Sequence, residues 1–119
     1  MSAYSQSILP KIPYEIIRQT RRDNFDYLCS KLASTNQMSF SLDAVFMCPM
    51  VYPYYSDNLE LRDKLIQNKI YVPTYWPELL VLCETDSVEY HLAQKLIPLL
   101  IDQRYGKEDM QRIIDVILN

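Results

Sequence analysis

Apolar side chains recur at helical spacing most regularly near the end of the chain, where they fill the i, i+3, i+4 and i+7 positions of one helix face. These residues are Met110, Ile113, Ile114 and Ile117. A longer segment, Tyr14–Leu32, has an apolar side and a polar side on which charged residues recur at four-residue steps. The pattern therefore predicts a long amphipathic helix early in the chain and a second helix at its end.

Two further helices are predicted between these segments. The first starts at Ser56 or Asp57, whose side chains are suited to cap a helix, and ends near Asn68. The second starts at Thr85 or Asp86 and is stopped by Pro98, which lacks the backbone donor that a helix interior needs. Residues 78–86 fit neither a helix nor a loop clearly.

Three segments have the apolar, β-branched and aromatic content of strands. Residues 44–54 contain Pro49 and Pro53, each of which removes a ladder donor, so this strand is expected to be irregular or to lie at a sheet edge. Residues 70–72 and 99–101 predict two more short strands. Strands that alternate with helices in this way predict an α+β fold, a small three-stranded sheet covered by helices.

The chain of 119 residues is long enough for one domain with its own hydrophobic core, and 49% of its residues are hydrophobic. Residues 1–13 are polar and contain Pro10 and Pro13, which predicts an extended lead-in. The remainder, residues 14–119, is predicted to form a single domain.

Composition argues against several classes of function. The one glycine, Gly106, leaves no glycine-rich loop to cradle a phosphate, and the net charge of -3 argues against nucleic acid as a partner. No apolar run approaches the ~20 residues of a membrane span, and the first residues lack a signal peptide, so a cytoplasmic protein without a membrane partner is expected. Cys29, Cys48 and Cys83 match neither a disulfide framework nor a zinc motif.

No set of side chains in the sequence indicates catalysis or metal binding. His91 is the only histidine and has no carboxylate or cysteine at a motif spacing, so a structural or exposed role is expected. The acidic residues mostly fall at helix starts and on exposed faces, where the helix dipole and solvent explain them. Arg18, Arg21 and Arg22 are interspersed with acids and are expected to form a solvated helix face rather than a phosphate site.

The aromatic turn, Tyr71 to Pro77, has two open interpretations. It contains Tyr75 and Trp76 between Pro73 and Pro77. Tyrosine and tryptophan combine a large apolar area with a polar tip, which suits a ligand rim or a protein interface and also suits the edge of a core. The flanking prolines restrict the chain, which would hold such a binding surface at low entropic cost.

Three stretches, taken together, resemble one family. They are residues 68–77 (Asn-Lys-Ile-Tyr-Val-Pro-Thr-Tyr-Trp-Pro), residues 100–110 (Leu-Ile-Asp-Gln-Arg-Tyr-Gly-Lys-Glu-Asp-Met) and residues 21–28, which begin Arg-Arg-Asp-Asn-Phe. In this order they resemble the C-terminal part of the DegT/DnrJ/StrS family of pyridoxal-phosphate aminotransferases, which commonly act on sugar nucleotides. The resemblance extends over about residues 8–118.

The resemblance implies the C-terminal small domain of a fold-type-I enzyme without its large domain. In that family the Schiff-base lysine, the aspartate that pairs with the pyridine nitrogen and the phosphate cup all belong to the large domain, and no position here matches them. The chain alone is therefore expected to bind no pyridoxal phosphate and not to transaminate. None of its lysines is expected to be the cofactor lysine: Lys11, Lys31, Lys64, Lys69, Lys95 and Lys107.

Tyr75 and Trp76 are the substrate-facing candidates by their position in the motif. The family usually has histidine at the position of Tyr75 and favours proline at that of Leu100. The implied function is a stand-alone or truncated small domain with an incomplete active site, whose partner is a second copy or a separately encoded large domain. The alternative is a non-enzymatic binding module that uses the aromatic turn for a protein or sugar ligand.

Overall fold

The computed structural model describes residues 1–39 and 47–119. These ranges contain six α-helices and two strands, which confirms the α+β class. The helices are α1 (Ala3–Ile8), α2 (Tyr14–Leu32), α3 (Leu61–Gln67), α4 (Leu79–Leu82), α5 (Val88–Lys95) and α6 (Lys107–Leu118). The strands are β1 (Val51–Tyr55) and β2 (Leu96–Leu100), and a 3-10 turn, Leu9–Lys11, follows α1.

The hydrophobic core lies between the two strands and helices α2, α3 and α6. Helix α2 packs against α6 and β1, and α3 packs against α6. Both long helices bury the side that their apolar periodicity predicts, because burying that stripe removes the largest apolar area from water. The buried side chains of these helices are Phe25, Leu28 and Leu32 in α2, Leu61 and Leu65 in α3, and Met110, Ile113 and Ile114 in α6.

The two strands pair antiparallel, with Pro53 opposite Pro98. The backbone carbonyls of Pro53 and Tyr55 in β1 point away from β2. The Pro53 carbonyl accepts from Asn36 Nδ2 at 2.9 Å, and the Tyr55 carbonyl accepts from the Gln37 amide at 3.1 Å. By the alternation of an antiparallel ladder, Pro98 also faces outward. Each outer edge of the sheet therefore presents a proline, which has no N–H to offer a further strand.

The described residues contain two strands rather than the expected three. Residues 70–72 form no strand, because the backbone that enters this segment closes the end of α3: the Ile70 amide donates to the Leu65 carbonyl at 2.8 Å and the Lys69 amide to the Ile66 carbonyl at 2.9 Å. These two bonds are those of a Schellman motif, and Lys69 takes its left-handed position with φ 62°. The start of the expected strand 44–54 falls within residues 40–46, outside the described ranges.

Pro98 lies inside a strand instead of stopping a helix. Helix α5 ends at Lys95, and β2 begins with Leu96, earlier than the expected strand at 99–101. Pro98 is tolerated there because its missing donor faces the open edge of the sheet. The expectation was wrong because a short apolar run fits the end of a buried helix and a buried strand equally well.

The starts of the two middle helices also differ from expectation. Ser87 caps α5 by accepting a hydrogen bond from the Tyr90 amide at 3.2 Å, so the cap lies one residue beyond Asp86. Helix α3 begins at Leu61, with no side-chain cap. The segment that fitted neither pattern contains the four-residue helix α4.

Residues 1–13 are largely helical rather than extended. Ser2 caps α1 by accepting from the Ser5 amide at 3.1 Å, and Pro10 lies at the start of the 3-10 turn, where a missing N–H is harmless. The Tyr14 hydroxyl donates to the Leu9 carbonyl at 2.8 Å and ties the turn to α2. The polar composition and the prolines hid this helix from the sequence pattern.

Candidate functional site

Asn24 joins two of the stretches on which the family resemblance rests. It lies on the buried side of α2 and is only 4% exposed. Its side-chain amide donates to the carbonyls of Ile101 and Tyr105, each at 3.0 Å, in the loop between β2 and α6. A buried amide that reaches two carbonyls satisfies three polar groups at once, which fixes the position of that loop against α2.

The arginines beside Asn24 are half-exposed and donate hydrogen bonds to neighbouring loops. Arg21 Nε donates to Gln103 Oε1 at 3.2 Å, and its Nη1 donates to the Pro49 carbonyl at 3.3 Å. Arg22 donates to the Met47 carbonyl at 3.2 Å. The expected face is therefore only partly solvated at these two residues, because Met47, Pro49 and Gln103 contact it.

The loop that Asn24 holds carries its own ion pair. Arg104 donates from Nε and Nη2 to the two carboxylate oxygens of Asp102 at 3.0 and 2.9 Å. These hydrogen bonds favour the charged carboxylate and lower the pKa of Asp102 below its ordinary range. The Arg104 guanidinium also lies 5.3 Å from the ring centroid of Tyr105.

The aromatic turn is attached to the sheet through Arg62 of α3. One guanidinium nitrogen donates to the Pro73 carbonyl and the other donates to the Leu96 carbonyl at 2.8 Å. Burial lowers the pKa of Arg62, although the group remains charged at any physiological pH. Arg62 thus holds the start of the turn beside the first residue of β2.

Tyr75 and Trp76 lie together at the end of this turn. Their ring centroids are 5.7 Å apart in an edge-to-face arrangement with an interplanar angle of 61°. Trp76 has φ 51° and is 61% exposed. A non-glycine residue in this region costs backbone strain, and the proline that follows it adds to that restriction.

The two rings border a cavity of about 160 Å³. Its other walls come from α4 and α5 and include Leu79, Leu92 and Glu89. The structure therefore brings the two sequence-predicted candidates to one small apolar cavity with a single acidic group. This arrangement can stack an apolar ring face and accept a hydrogen bond from a hydroxyl group.

His91 is not among the residues that line this cavity. Its Nδ1 is buried without a hydrogen-bond partner among the described residues, and its ring packs 6.0 Å from the ring of Tyr90. The described ranges hold no group of three or more His, Cys, Asp or Glu side chains arranged to bind a metal ion. No helix in those ranges has both the length and the apolar character needed to cross a bilayer.

Two residues that shape the site were not singled out by their chemistry in the sequence. Asn24 entered only as a letter of the motif, although its place one turn before Leu28 on the apolar side of α2 marks it as a buried polar residue. Arg62 gave no signal, because its partners are backbone carbonyls that any residue carries. Contacts to backbone of this kind leave no pattern in a sequence.

Comparison of the chain with protein-family models, with curated proteins and with solved structures gave no match. The family resemblance therefore stays a prediction from the three stretches.

Proposed function

We propose that this chain is a stand-alone or truncated C-terminal small domain of the DegT type, which lacks the pyridoxal-phosphate-binding large domain and does not catalyse alone. The observation that carries the proposal is the contact of Asn24 with the carbonyls of Ile101 and Tyr105. Two stretches that lie far apart in sequence, and that both contribute to the family resemblance, meet through a buried hydrogen-bonded amide. A chance resemblance of surface segments gives no reason for such a meeting.

The surroundings of the lysines support the absence of catalysis by this chain alone. A Schiff-base lysine must release its proton to attack the cofactor aldehyde, so its site lowers the pKa of the amine. Lys95 shows the opposite effect: its Nζ donates to Asp57 at 2.8 Å, and this hydrogen bond raises the pKa of Lys95. Lys107 Nζ lies 5.2 Å from the ring centroid of Tyr27, in a cation–π contact.

Borohydride trapping tests the proposal directly. The purified chain is incubated with pyridoxal phosphate, reduced with borohydride and mapped by peptide mass spectrometry. We expect weak labelling spread over exposed lysines, at the level found for the same chain unfolded in urea. A stoichiometric adduct at one lysine, formed only by the folded chain and accompanied by an internal-aldimine absorbance band, would overturn the proposal.

The cavity beside Tyr75 and Trp76 favours a second candidate function, a binding module for a sugar ligand. Stacking of a sugar ring on tryptophan and a hydroxyl bond to Glu89 would use the two kinds of group that this cavity offers. On this proposal the fluorescence of Trp76, the only tryptophan, reports binding when nucleotide sugars are titrated into the protein.

Two variants that each replace a glutamate by glutamine show whether sugar binding depends on the charge of Glu89. Glu89→Gln weakens a charge-assisted hydrogen bond and should raise the dissociation constant roughly five-fold to ten-fold. Glu108→Gln, at an exposed position at the start of α6, serves as the matched control and should leave binding unchanged. No fluorescence change at millimolar nucleotide sugar, or equal binding by both variants, would remove the sugar-binding candidate.

A further inference from the structure

A second cavity, of about 120 Å³, lies between the segment that follows α3 and helix α6. The buried side chains of Met110 and Ile113 line it together with the ring of Tyr105. Lys69 and Arg112 also line it, and so does Tyr71, whose side chain is 65% exposed. The cavity thus combines an apolar interior with two cationic groups. It is lined by the first residue of the aromatic turn, Tyr71, whereas Trp76 lies near the end of that turn.

Neither cation forms an ion pair with a described residue. Lys69 Nζ makes no hydrogen bond or ion pair with any described residue. Arg112 donates from Nη2 to the Asn68 carbonyl, which leaves most of its five N–H donors available. The one carboxylate in the lining, Asp109, accepts from the Gly106 amide at 3.0 Å and caps α6. The lining therefore carries one more positive charge than negative charge.

We propose that this cavity binds a small carboxylate with an aromatic or branched apolar body. The carboxylate pairs with Arg112 and Lys69, because guanidinium and ammonium groups are the donors that carboxylates prefer. The apolar body enters between Tyr105, Met110 and Ile113. At roughly 10–15 Å³ per water-sized unit, a cavity of about 120 Å³ holds about eight to twelve such units, which fits a ligand of the size of benzoate.

The backbone around the cavity is fixed before any ligand arrives. Lys69 is held at φ 62° by the Schellman closure of α3, and the carbonyl of Tyr105 is held by Asn24. A preformed pocket loses little conformational entropy on binding, which favours small ligands. The inference does not depend on the aminotransferase proposal, because the charges of Lys69 and Arg112 on which it rests are assigned no role there.

The test is an NMR titration of the full chain with benzoate, and with benzamide as a neutral molecule of the same shape. We expect benzoate to shift the amide signals of Tyr71, Met110 and Ile113 in a saturable way, and benzamide to bind at least ten-fold more weakly. Raising the salt concentration should weaken the binding of benzoate and leave that of benzamide unchanged. Equal shifts by the two compounds, or no saturable shift, would overturn the proposal.

Two variants test whether the charges of Arg112 and Lys69 bind the carboxylate. Arg112→Gln and Lys69→Gln should each weaken benzoate binding roughly five-fold to ten-fold, because each removes a charge-assisted partner. Lys69→Gln tests the proposal even if Arg112→Gln disturbs the end of α3, because Lys69 Nζ bonds no described residue. Lys31→Gln, an exposed lysine at the end of α2, is the matched control and should bind as the parent does. Unchanged affinity in Lys69→Gln would exclude this ammonium as a partner and refute the site as described.

Discussion

Lys69 holds its backbone in a region that glycine enters without cost and other residues enter at ~1–2 kcal/mol. It follows α3 at the position of a Schellman motif where natural helices most often carry glycine. The chain has a single glycine, Gly106, and uses lysine here instead. The strain is retained because two backbone hydrogen bonds and the packing of Ile70 against the core specify the turn.

Lys69→Gly should therefore stabilise the protein. Relief of the left-handed strain outweighs the extra freedom of glycine in the unfolded chain, so we expect the free energy of unfolding to rise by about 0.5–1 kcal/mol. Urea denaturation followed by circular dichroism measures it. Lys64→Gly, in the interior of α3, is the control and should lower the same quantity by about 1 kcal/mol. A loss of stability in Lys69→Gly would contradict the role given to this position.

Asp102 gives the protein a defined pH dependence. Its pKa is lowered in the folded state by hydrogen bonds from Arg104, whereas in the unfolded chain it titrates near its ordinary value of about 4. The folded state therefore binds this proton less readily than the unfolded state does. The stability that the pair contributes is complete above about pH 4 and is lost as the pH falls through the lowered folded-state value.

Asp102→Asn should remove that contribution. We expect the variant to be modestly less stable than the parent at pH 7, and the difference to narrow as the pH falls through the lowered folded-state pKa of Asp102. Urea midpoints measured from pH 2 to pH 7 supply the comparison. Asp115→Asn, at an exposed position of α6, should leave the shape of the pH curve unchanged. A constant difference between Asp102→Asn and the parent at every pH would rule out this ion pair as the cause.

Helices and strands differ in how well their sequences foretell them here. Helices α2 and α6 were predicted because each has a long apolar stripe at the helical period. The sheet was only partly predicted, since a five-residue strand such as β2 has too few positions to establish a period. Its placement depends instead on pairing with β1, a contact distant in sequence.

In the candidate site too, features that depend on local sequence were predicted and features that depend on distant contacts were not. Tyr75 and Trp76 were predicted from their residue types and their prolines, which are local features. The cavity beside them was not, because it also needs α4 and α5, and neither its volume nor Glu89 follows from the aromatic stretch. The placement of Lys69 and Arg112 beside one cavity was not predicted either, because packing of α3 against α6 brings them together.

Arg62 connects three elements, so removing its charge should loosen all three. In Arg62→Met the aliphatic stem is kept, while the carbonyls of Pro73 and Leu96 lose their donors. We expect a loss of about 2 kcal/mol in the free energy of unfolding. We also expect lower fluorescence anisotropy of Trp76, because the turn loses its attachment to β2. Arg18→Met, which affects only a surface pair with Glu15, should change neither quantity appreciably.

The molecule as a whole is longer than a compact domain of its size. Its radius of gyration is 16.4 Å and its principal extents are 48 × 32 × 31 Å. A compact chain of this length has a radius of about 13.5 Å. Helix α1 contributes to the length, since none of its six residues is buried and it packs mainly against the turn that follows it. A helix this short is not stable in water by its own hydrogen bonds, which favours a further contact for this end of the molecule.

A second surface also favours association. The α4 patch, defined as Trp76, Val81, Leu82 and Val88, consists of large apolar side chains that are each more than 60% exposed. On the proposed function it is the surface that would contact a large domain or a second copy. Contiguous exposed apolar surface commonly marks such interfaces.

Sedimentation velocity over a wide range of protein concentration checks this expectation. The parent should show a concentration-dependent shift toward a larger species, and Leu82→Glu should shift it back toward the monomer. Ile16→Glu introduces the same charge at another exposed apolar position, on α2, and should associate as the parent does. One monomeric species at every concentration would contradict a role for the α4 patch.

The outward-facing Pro53 and Pro98 disfavour association of copies of this chain through the edges of the sheet. Fibril growth requires a free strand edge that donates and accepts a regular series of backbone hydrogen bonds. Each edge of this small sheet lacks a donor at its central residue, and Asn36 already occupies part of the β1 edge. Contacts between copies are thereby directed to side chains, so a tyrosine-rich chain with an exposed apolar patch can form discrete oligomers without seeding amyloid.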